Sequence, residues 1–221
     1  MLAKELISDI IPHLKTSDSG IKALIWMEIF KVSHLPIVNN DEFLGLISDT
    51  DIYNLNEADQ SIGAHPLSLI RPYVNRNQHI YEVFGLVSKL NLSIVPVLNE
   101  QNHYVGCITL QDLAANFAKF VGANEPGAII ILELNIHDYL LTEIAQIVES
   151  NDSKIISLYV STFKNSTKLN VTLKLNTSNL SSIIQTFERY NYTIMASFLE
   201  DEELEHFYDD RFESFMNYLD I

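Results

Sequence analysis

The sequence predicts a mixed α+β / α/β chain made of a duplicated N-terminal module followed by a smaller strand–helix domain. Three observations carry this. The prolines Pro12 and Pro72, and again Pro36 and Pro96, stand 60 residues apart and bracket similar text. A turn-rich joint, Gly122-Ala123-Asn124-Glu125-Pro126-Gly127, closes the repeated region. Beyond it the apolar pattern alternates between strand and helix periods in a new order.

Between the paired prolines lies a helix in each copy. Ile80, Val83, Phe84 and Val87 follow the i, i+3, i+4, i+7 rule in the second copy, and Gly20, Ala23, Leu24 and Met27 hold those positions in the first. A strand follows, His34 to Val38 in one copy and Ile94 to Leu98 in the other, each with a central proline. Proline cannot donate to a ladder, so edge or strand-start positions are expected for both. After a polar turn come Gly45-Leu46-Ile47-Ser48-Asp49-Thr50-Asp51 and Gly106-Cys107-Ile108-Thr109-Leu110-Gln111-Asp112. Their offset is 61, which places a one-residue insertion in the second turn, where insertions are tolerated. Neither copy buries its own apolar face alone, so the two should fold as one body about a pseudo-twofold axis.

This order, a helix, an apolar-Pro-apolar strand, a turn and then Gly-apolar-apolar-Ser/Thr-x-x-Asp, resembles the CBS domain. Two in tandem resemble the pair called a Bateman module, covering residues 1–121 as copies of about 1–62 and 63–121. The resemblance implies nucleotide-binding residues. Ser48 and Asp51 would hold ribose and phosphate at one site, Thr109 and Asp112 at the other. Leu35, Pro36 and Ile37, with Val95, Pro96 and Val97, would flank adenine. The chemistry suits that assignment. A carboxylate accepts from both ribose hydroxyls, a hydroxyl and free N–H groups at a helix start suit phosphate, and Gly45 and Gly106 would admit a ligand close to the backbone. The same Ser/Thr-x-x-Asp residues read equally as helix capping boxes with Asp in place of Glu or Gln. Candidate cations are Arg76, His34 and Lys15, each also readable as a solvated surface group, and they form no cluster in the sequence. Sparse cations favour a singly phosphorylated or uncharged adenosine ligand over ATP.

The second domain, residues 127–199, reads strand, helix, strand, strand, helix, strand, an order that is ferredoxin-like. Its first helix should turn Leu141, Ile144, Ala145 and Val148 inward, and its second, N-capped by Asn179, Leu180, Ile183, Ile184 and Phe187. The stretch from Leu134 to Ile144 resembles an ACT domain. That family binds amino acids beside a glycine at the first strand–helix turn, where this chain has Tyr139, so an interaction surface is the expectation instead. The layout as a whole resembles the acetoin-utilisation protein B type of regulator.

Charge narrows the partners. The net charge is -15, and the stretch from Glu200 to Ile221 holds nine acids and one base. No dense basic face is available for phosphate backbones, so neither nucleic acid nor an anionic membrane is an expected partner. No apolar run reaches the roughly 18 residues that span a bilayer. With no signal-like start and a single cysteine, Cys107, the expected location is cytoplasmic. The seven histidines lack metal spacing, and no catalytic motif is present, so no metal site, no cofactor and no enzyme activity are expected. Cys107 reads as a buried, inert thiol. Residues 200–221 read as an acidic amphipathic helix with Leu204, Tyr208, Phe212, Phe215 and Leu219 in one stripe.

The expectation is therefore a regulatory protein. It would sense AMP, ATP, S-adenosylmethionine or a related adenosyl ligand, form a homodimer, and act on a protein partner that the sequence does not name. The alternative is an interaction or scaffold protein with degenerate ligand sites, acting through the ACT-like domain and the tail.

Overall fold

The structure is a computed structural model describing residues 1–199 apart from positions 9, 56, 67, 68 and 165. The expected tail, including Phe212, Phe215 and Leu219, lies outside the described residues. The chain divides into two compact units, Met1–Phe120 and Val121–Ile221, each with its own hydrophobic core.

In the first unit the repeat becomes two matching sets of elements. The first copy has α1 (Gly20–Phe30), β1 (His34–Asn39), β2 (Glu42–Ser48) and α2 (Asp49–Tyr53). The second has β3 (Val74–Asn75), α3 (Ile80–Leu90), β4 (Ile94–Leu98), β5 (Tyr104–Thr109) and α4 (Leu110–Phe120). β1 pairs antiparallel with β2, and β4 with β5, and each ladder carries one register shift. The short parallel strand β3 pairs through Val74 with Val97, and Leu14 makes the corresponding parallel bridge to Ile37. The prolines are accommodated by where that pairing starts. Pro36 O accepts from Leu14 N at 2.8 Å and Val38 N donates to Leu14 O at 2.8 Å, so the ladder never calls on the missing N–H.

The copies are tied by exchanged leading segments, which sequence spacing did not show. Residues 1–8 precede the first copy in the chain, yet Ala3 N donates to Gln78 O at 2.9 Å and Ser8 N to Cys107 O at 2.8 Å. Likewise the segment before the second copy pairs with the first, as Gly63 N donates to Thr16 O at 2.8 Å and Leu46 N to Ile70 O at 2.9 Å. Each copy is thus completed by backbone from the other side of the repeat. The core is correspondingly continuous, running from Ala3 and Leu6 through Leu35, Ile37 and Ile47 to Val83, Ile94 and Leu113.

The second unit has β6 (Ala128–Asn135), α5 (Leu141–Glu149), β7 (Ile155–Thr162), β8 (Lys168–Leu175), α6 (Ser181–Arg189) and β9 (Thr193–Phe198). The sheet order is β7-β8-β6-β9 with every pair antiparallel, the ferredoxin-like arrangement. Alternate residues of β6 and β8 enter the core, Ala128, Ile130 and Leu132 opposite Leu175, Leu173 and Val171. On α5 the buried residues are Ile144, Ile147 and Val148, while Leu141 is 50% exposed. The inward face is therefore rotated from the expected one, because the helix begins at Leu141 and its first turn lies at the rim of the core. On α6, Leu180, Ile183 and Phe187 are buried as expected, and Asn179 Oδ1 accepts from Ser181 N at 3.1 Å. Tyr139 packs against this core.

Candidate functional site

Each Ser/Thr-x-x-Asp motif ends a strand and opens a helix, and its local hydrogen bonds follow from that position. Ser48 Oγ donates to Asp51 Oδ2 at 2.7 Å and accepts from Asp51 N at 3.1 Å, while Ser48 N donates to Asp51 Oδ2 at 2.9 Å. Thr109 Oγ1 donates to Asp112 Oδ2 at 2.7 Å and accepts from Asp112 N at 3.0 Å. Both motifs are helix caps, so the capping reading holds. Each box uses Oδ2 and leaves Oδ1 of the carboxylate without a described donor.

Thr109 and Asp112 line a cavity of about 450 Å³, within the size range of small-molecule sites. Phe30, Lys31 and Val32 of the first copy line it as well, together with Ser8, Ile10 and Ile11 from the leading segment and Ser93. The cavity therefore lies in the cleft between the copies. A second cavity of about 580 Å³ runs beside α1 and is lined by Ile21, Leu24, Ile25, Asp49, Tyr53 and both Ser33 and Ser93. Ser48 is half-buried and Asp51 exposed, and neither lines these two cavities.

Two groups of expected contacts lie against the protein's own residues. Leu35, Pro36, Ile37, Val95, Pro96 and Val97 are all buried. β1 and β4 are covered on both faces, so these side chains pack in the core, and none of the six lines either cavity. Gly45 and Gly106 admit close neighbours, but those neighbours are the exchanged segments of the chain itself. A Cβ on Gly45 would stand 2.7 Å from Leu69 Cβ, and one on Gly106, whose φ is 139°, would stand 2.5 Å from Ile7 Cγ2.

The cations also fall differently. Arg76 and Lys15 are exposed and line neither cavity. His34 lies in the seam, its Nδ1 3.0 Å from Ser93 Oγ, and burial lowers its pKa from the ordinary value although Asp49 and Asp51 pull the other way. It is a half-buried, hydrogen-bonded group and supplies no surface cation. The cation beside both cavities is Lys31, which the sequence reading passed over. Its signal was available: it is the residue that ends α1, 60 positions before Asn91, which ends α3. Ser8, Ile10 and Ile11 were missed because their role depends on the segment exchange.

In the second unit a smaller cavity of about 260 Å³ is lined by Glu133, Asp138, Glu143, Asn191 and Tyr192 among others. Tyr192 Oη donates to Glu143 Oε2 at 2.5 Å, and burial together with that carboxylate raises the phenol's pKa. Three carboxylates at one mouth oppose a ligand's carboxylate group. Among the described residues no group of three or more His, Cys, Asp or Glu side chains is placed to hold a metal ion, and no helix is long and apolar enough to cross a membrane.

Comparison with known proteins bears on the first unit. An uncharacterised protein of Methanocaldococcus jannaschii is 26% identical over 118 residues, which are 47% of this chain and 39% of that protein. A homoserine O-acetyltransferase of Methanosarcina acetivorans is 27% identical over 95 residues, 40% of this chain and 17% of the enzyme. The chain thus spans well under half the length of these relatives. A solved CBS domain pair/ACT domain protein from Thermotoga maritima is 19% identical with a TM-score of 0.49, covering 55% of this chain and 99% of that one. The CBS domain profile matches twice, at residues 3–56 and 69–119, the same two stretches that the backbone folds into matching sets of strands and helices, so the N-terminal unit is a tandem pair of CBS domains.

Proposed function

We propose that this chain is a non-enzymatic regulatory protein that binds an adenine nucleotide or related adenosyl ligand, such as AMP, ATP or S-adenosylmethionine, at Thr109 and Asp112. CBS pairs commonly bind adenosyl ligands in regulatory proteins and are generally not catalytic. The observation that carries the reading is the cavity between the copies. It combines an apolar wall from Ile10, Ile11, Phe30 and Val32 with one carboxylate, two serine hydroxyls and one lysine. The apolar wall suits a purine face, and Asp112 Oδ1 suits a ribose diol. A ligand touching both walls would favour one spacing of the copies over others, and that preference is what transmits a signal. The site residues carried from this reading are Thr109 and Asp112. Ser48 and Asp51 form the related pair.

The chain would act as a homodimer, a reading supported by the exposed apolar side chains of Ile21, Ile25 and Ile29 on α1. The regulated partner is left open; in the alternative, scaffold reading it would be recruited through the ACT-like domain at about 127–199 and the acidic segment 200–221, a layout that resembles the acetoin-utilisation protein B type of regulator. Thermal unfolding with AMP, ATP, S-adenosylmethionine and adenosine tests the ligand reading. A ligand at about 100 times its Kd adds about 2.7 kcal/mol of stability. Asp112→Ala should remove about 1.5–3 kcal/mol of binding, the range for a hydrogen bond to a charged group. No shift with any of the four ligands would leave the scaffold reading in its place.

A further inference from the structure

The sheet of the second unit has its helices on one face. Ala128, Ile130 and Leu132 of β6 enter the core that α5 and α6 close through Ile144, Ile147, Ile183 and Phe187. The alternate residues of β6, Ile129, Ile131 and Glu133, stand on the other face. Register carries that face across the strands: Phe198 and Lys174 flank Ile129, and Ala196 and Thr172 flank Ile131. An antiparallel sheet with one solvated face alternates apolar inward and polar outward. β6 departs from that pattern. Its start, Ala128-Ile129-Ile130-Ile131-Leu132, is apolar throughout, as in a strand covered on both sides. Yet Ile129 and Ile131 are only half-buried, Phe198 is exposed, and none of the three belongs to the core of the unit.

Charge marks the same face. Lys168 and Lys174 stand at the two ends of the outward row of β8, and the neighbouring acid Glu133 is already paired with Lys168. Lys174 Nζ reaches Gly127 O at 3.4 Å, and among the described residues no carboxylate pairs with it. The chain leaves β9 beside this lysine. Phe198 ends β9 and pairs with Ile129, and Lys174 pairs with Ile129 from the other side, two strand spacings or about 10 Å away. Directly after Leu199 comes Glu200-Asp201-Glu202-Glu203, which opens the stretch of nine acids and one base. In that stretch Leu204, Tyr208, Phe212, Phe215 and Leu219 recur in steps of four and three. At helical rise this stripe would run about 22 Å. The eight residues of β6 extend over about 27 Å.

We propose that residues 200–221 cover the open face of this sheet in their own chain, with the apolar stripe on Ile129, Ile131 and Phe198 and the leading acids beside Lys174. The assignment does not depend on the nucleotide reading. It makes the acidic segment part of the second unit, so a protein that docks on this sheet must first displace it.

Two measurements on the full chain test it. Arg211 is the one base of the segment and gives trypsin a single site there. Cleavage of a docked segment tracks its open population, so Arg211 should be cut at least about tenfold more slowly in the full chain than in a synthetic peptide of residues 200–221. Phe215→Ser with Leu219→Ser, which leaves the sheet untouched, and Ile131→Asp, on the sheet, should each bring the rate to within about twofold of the peptide. Lys174→Glu should raise it about threefold at low salt, and by less at high salt. Carbodiimide should couple Lys174 to an acid within 200–205. When isotopically labelled and unlabelled chains are refolded together, those links should join residues of one chain. A wild-type rate equal to that of the peptide, or a rate that either the tail pair or Ile131→Asp leaves unmoved, would overturn the proposal. Links found only between labelled and unlabelled chains would give the face to a second copy and overturn it equally.

Discussion

His34 Nδ1 stands 3.0 Å from Ser93 Oγ, joining the first strand of one CBS copy to the residue just before the equivalent strand of the other. Ser93 Oγ also accepts from Ser33 N at 3.0 Å, which leaves its hydroxyl hydrogen for the imidazole. Ser93 N approaches the same Nδ1 at 3.4 Å. The network thus assigns Nδ1 as an acceptor and the ring as neutral. A proton on Nδ1 would face donors on two sides.

A pH dependence follows. The folded pKa of His34 lies below 6.5, chiefly through burial. The unfolded chain therefore takes up this proton first as pH falls. The stabilising contribution is complete above the unfolded value of 6.5 and is lost as pH drops through it towards the folded value. Urea unfolding at pH 7.5 and at pH 5.5 should show the wild type losing more stability than His34→Ile, which copies Ile94 of the second repeat. Parallel pH profiles for the two proteins would contradict this.

How far the sequence carried the reading can be seen at such residues. The repeat was legible because Pro36 and Pro96, and Ser48 and Thr109, keep near-constant spacing through elements that fold alike. The exchange of residues 1–8 was not legible, because nothing in a periodicity shows which copy a leading strand will pair with. That also hid Ser8, Ile10 and Ile11 from the site. Leu35 and Val97 were read as ligand contacts because an apolar residue in a strand looks the same facing a core or facing a purine. Leu141 was read as buried because helical period alone does not fix where the core ends.

Glycines test the packing between the exchanged segments and the copies they complete. A Cβ at Gly106 meets Ile7 Cγ2 at 2.5 Å, whereas one at Gly85, within α3, meets nothing within 4 Å. Gly106→Ala should cost about 1–3 kcal/mol through overpacking. Gly85→Ala should add about 0.4–1 kcal/mol by restricting the unfolded chain and favouring the helix. Chemical denaturation of both variants checks the pair, and a neutral Gly106→Ala would show that residues 1–8 yield freely.

Cys107 is fully buried in β5, and burial pushes its thiol up to about 11. Thiolate is the reactive form, so at pH 8 the folded chain should hold almost none of it. An aromatic disulfide reagent should label the native protein only at the rate of unfolding, and stoichiometrically in denaturant. Rapid labelling under native conditions would place Cys107 outside the core.

The last prediction concerns self-association. α1 is apolar nearly all round: Gly20, Ala23 and Met27 are buried, yet Ile21, Ile25 and Ile29 are 47%, 52% and 63% exposed. These three recur every four residues and form one outward stripe. Tyr53 at the end of α2 is 74% exposed and lines the same cavity as Ile21 and Ile25. A helix apolar on both faces is a buried helix, and within the first unit only one face of α1 is covered. A twofold contact between copies of the chain would cover the other, and closed dimers are the commonest soluble assembly. Light scattering at micromolar concentration should give about twice the chain mass of 25.2 kDa. Ile25→Asp should return the chain mass with an unchanged far-ultraviolet dichroism spectrum, because position 25 already faces outward. A dimer that survives Ile25→Asp would move the interface away from α1, and a wild-type monomer throughout that range would remove it.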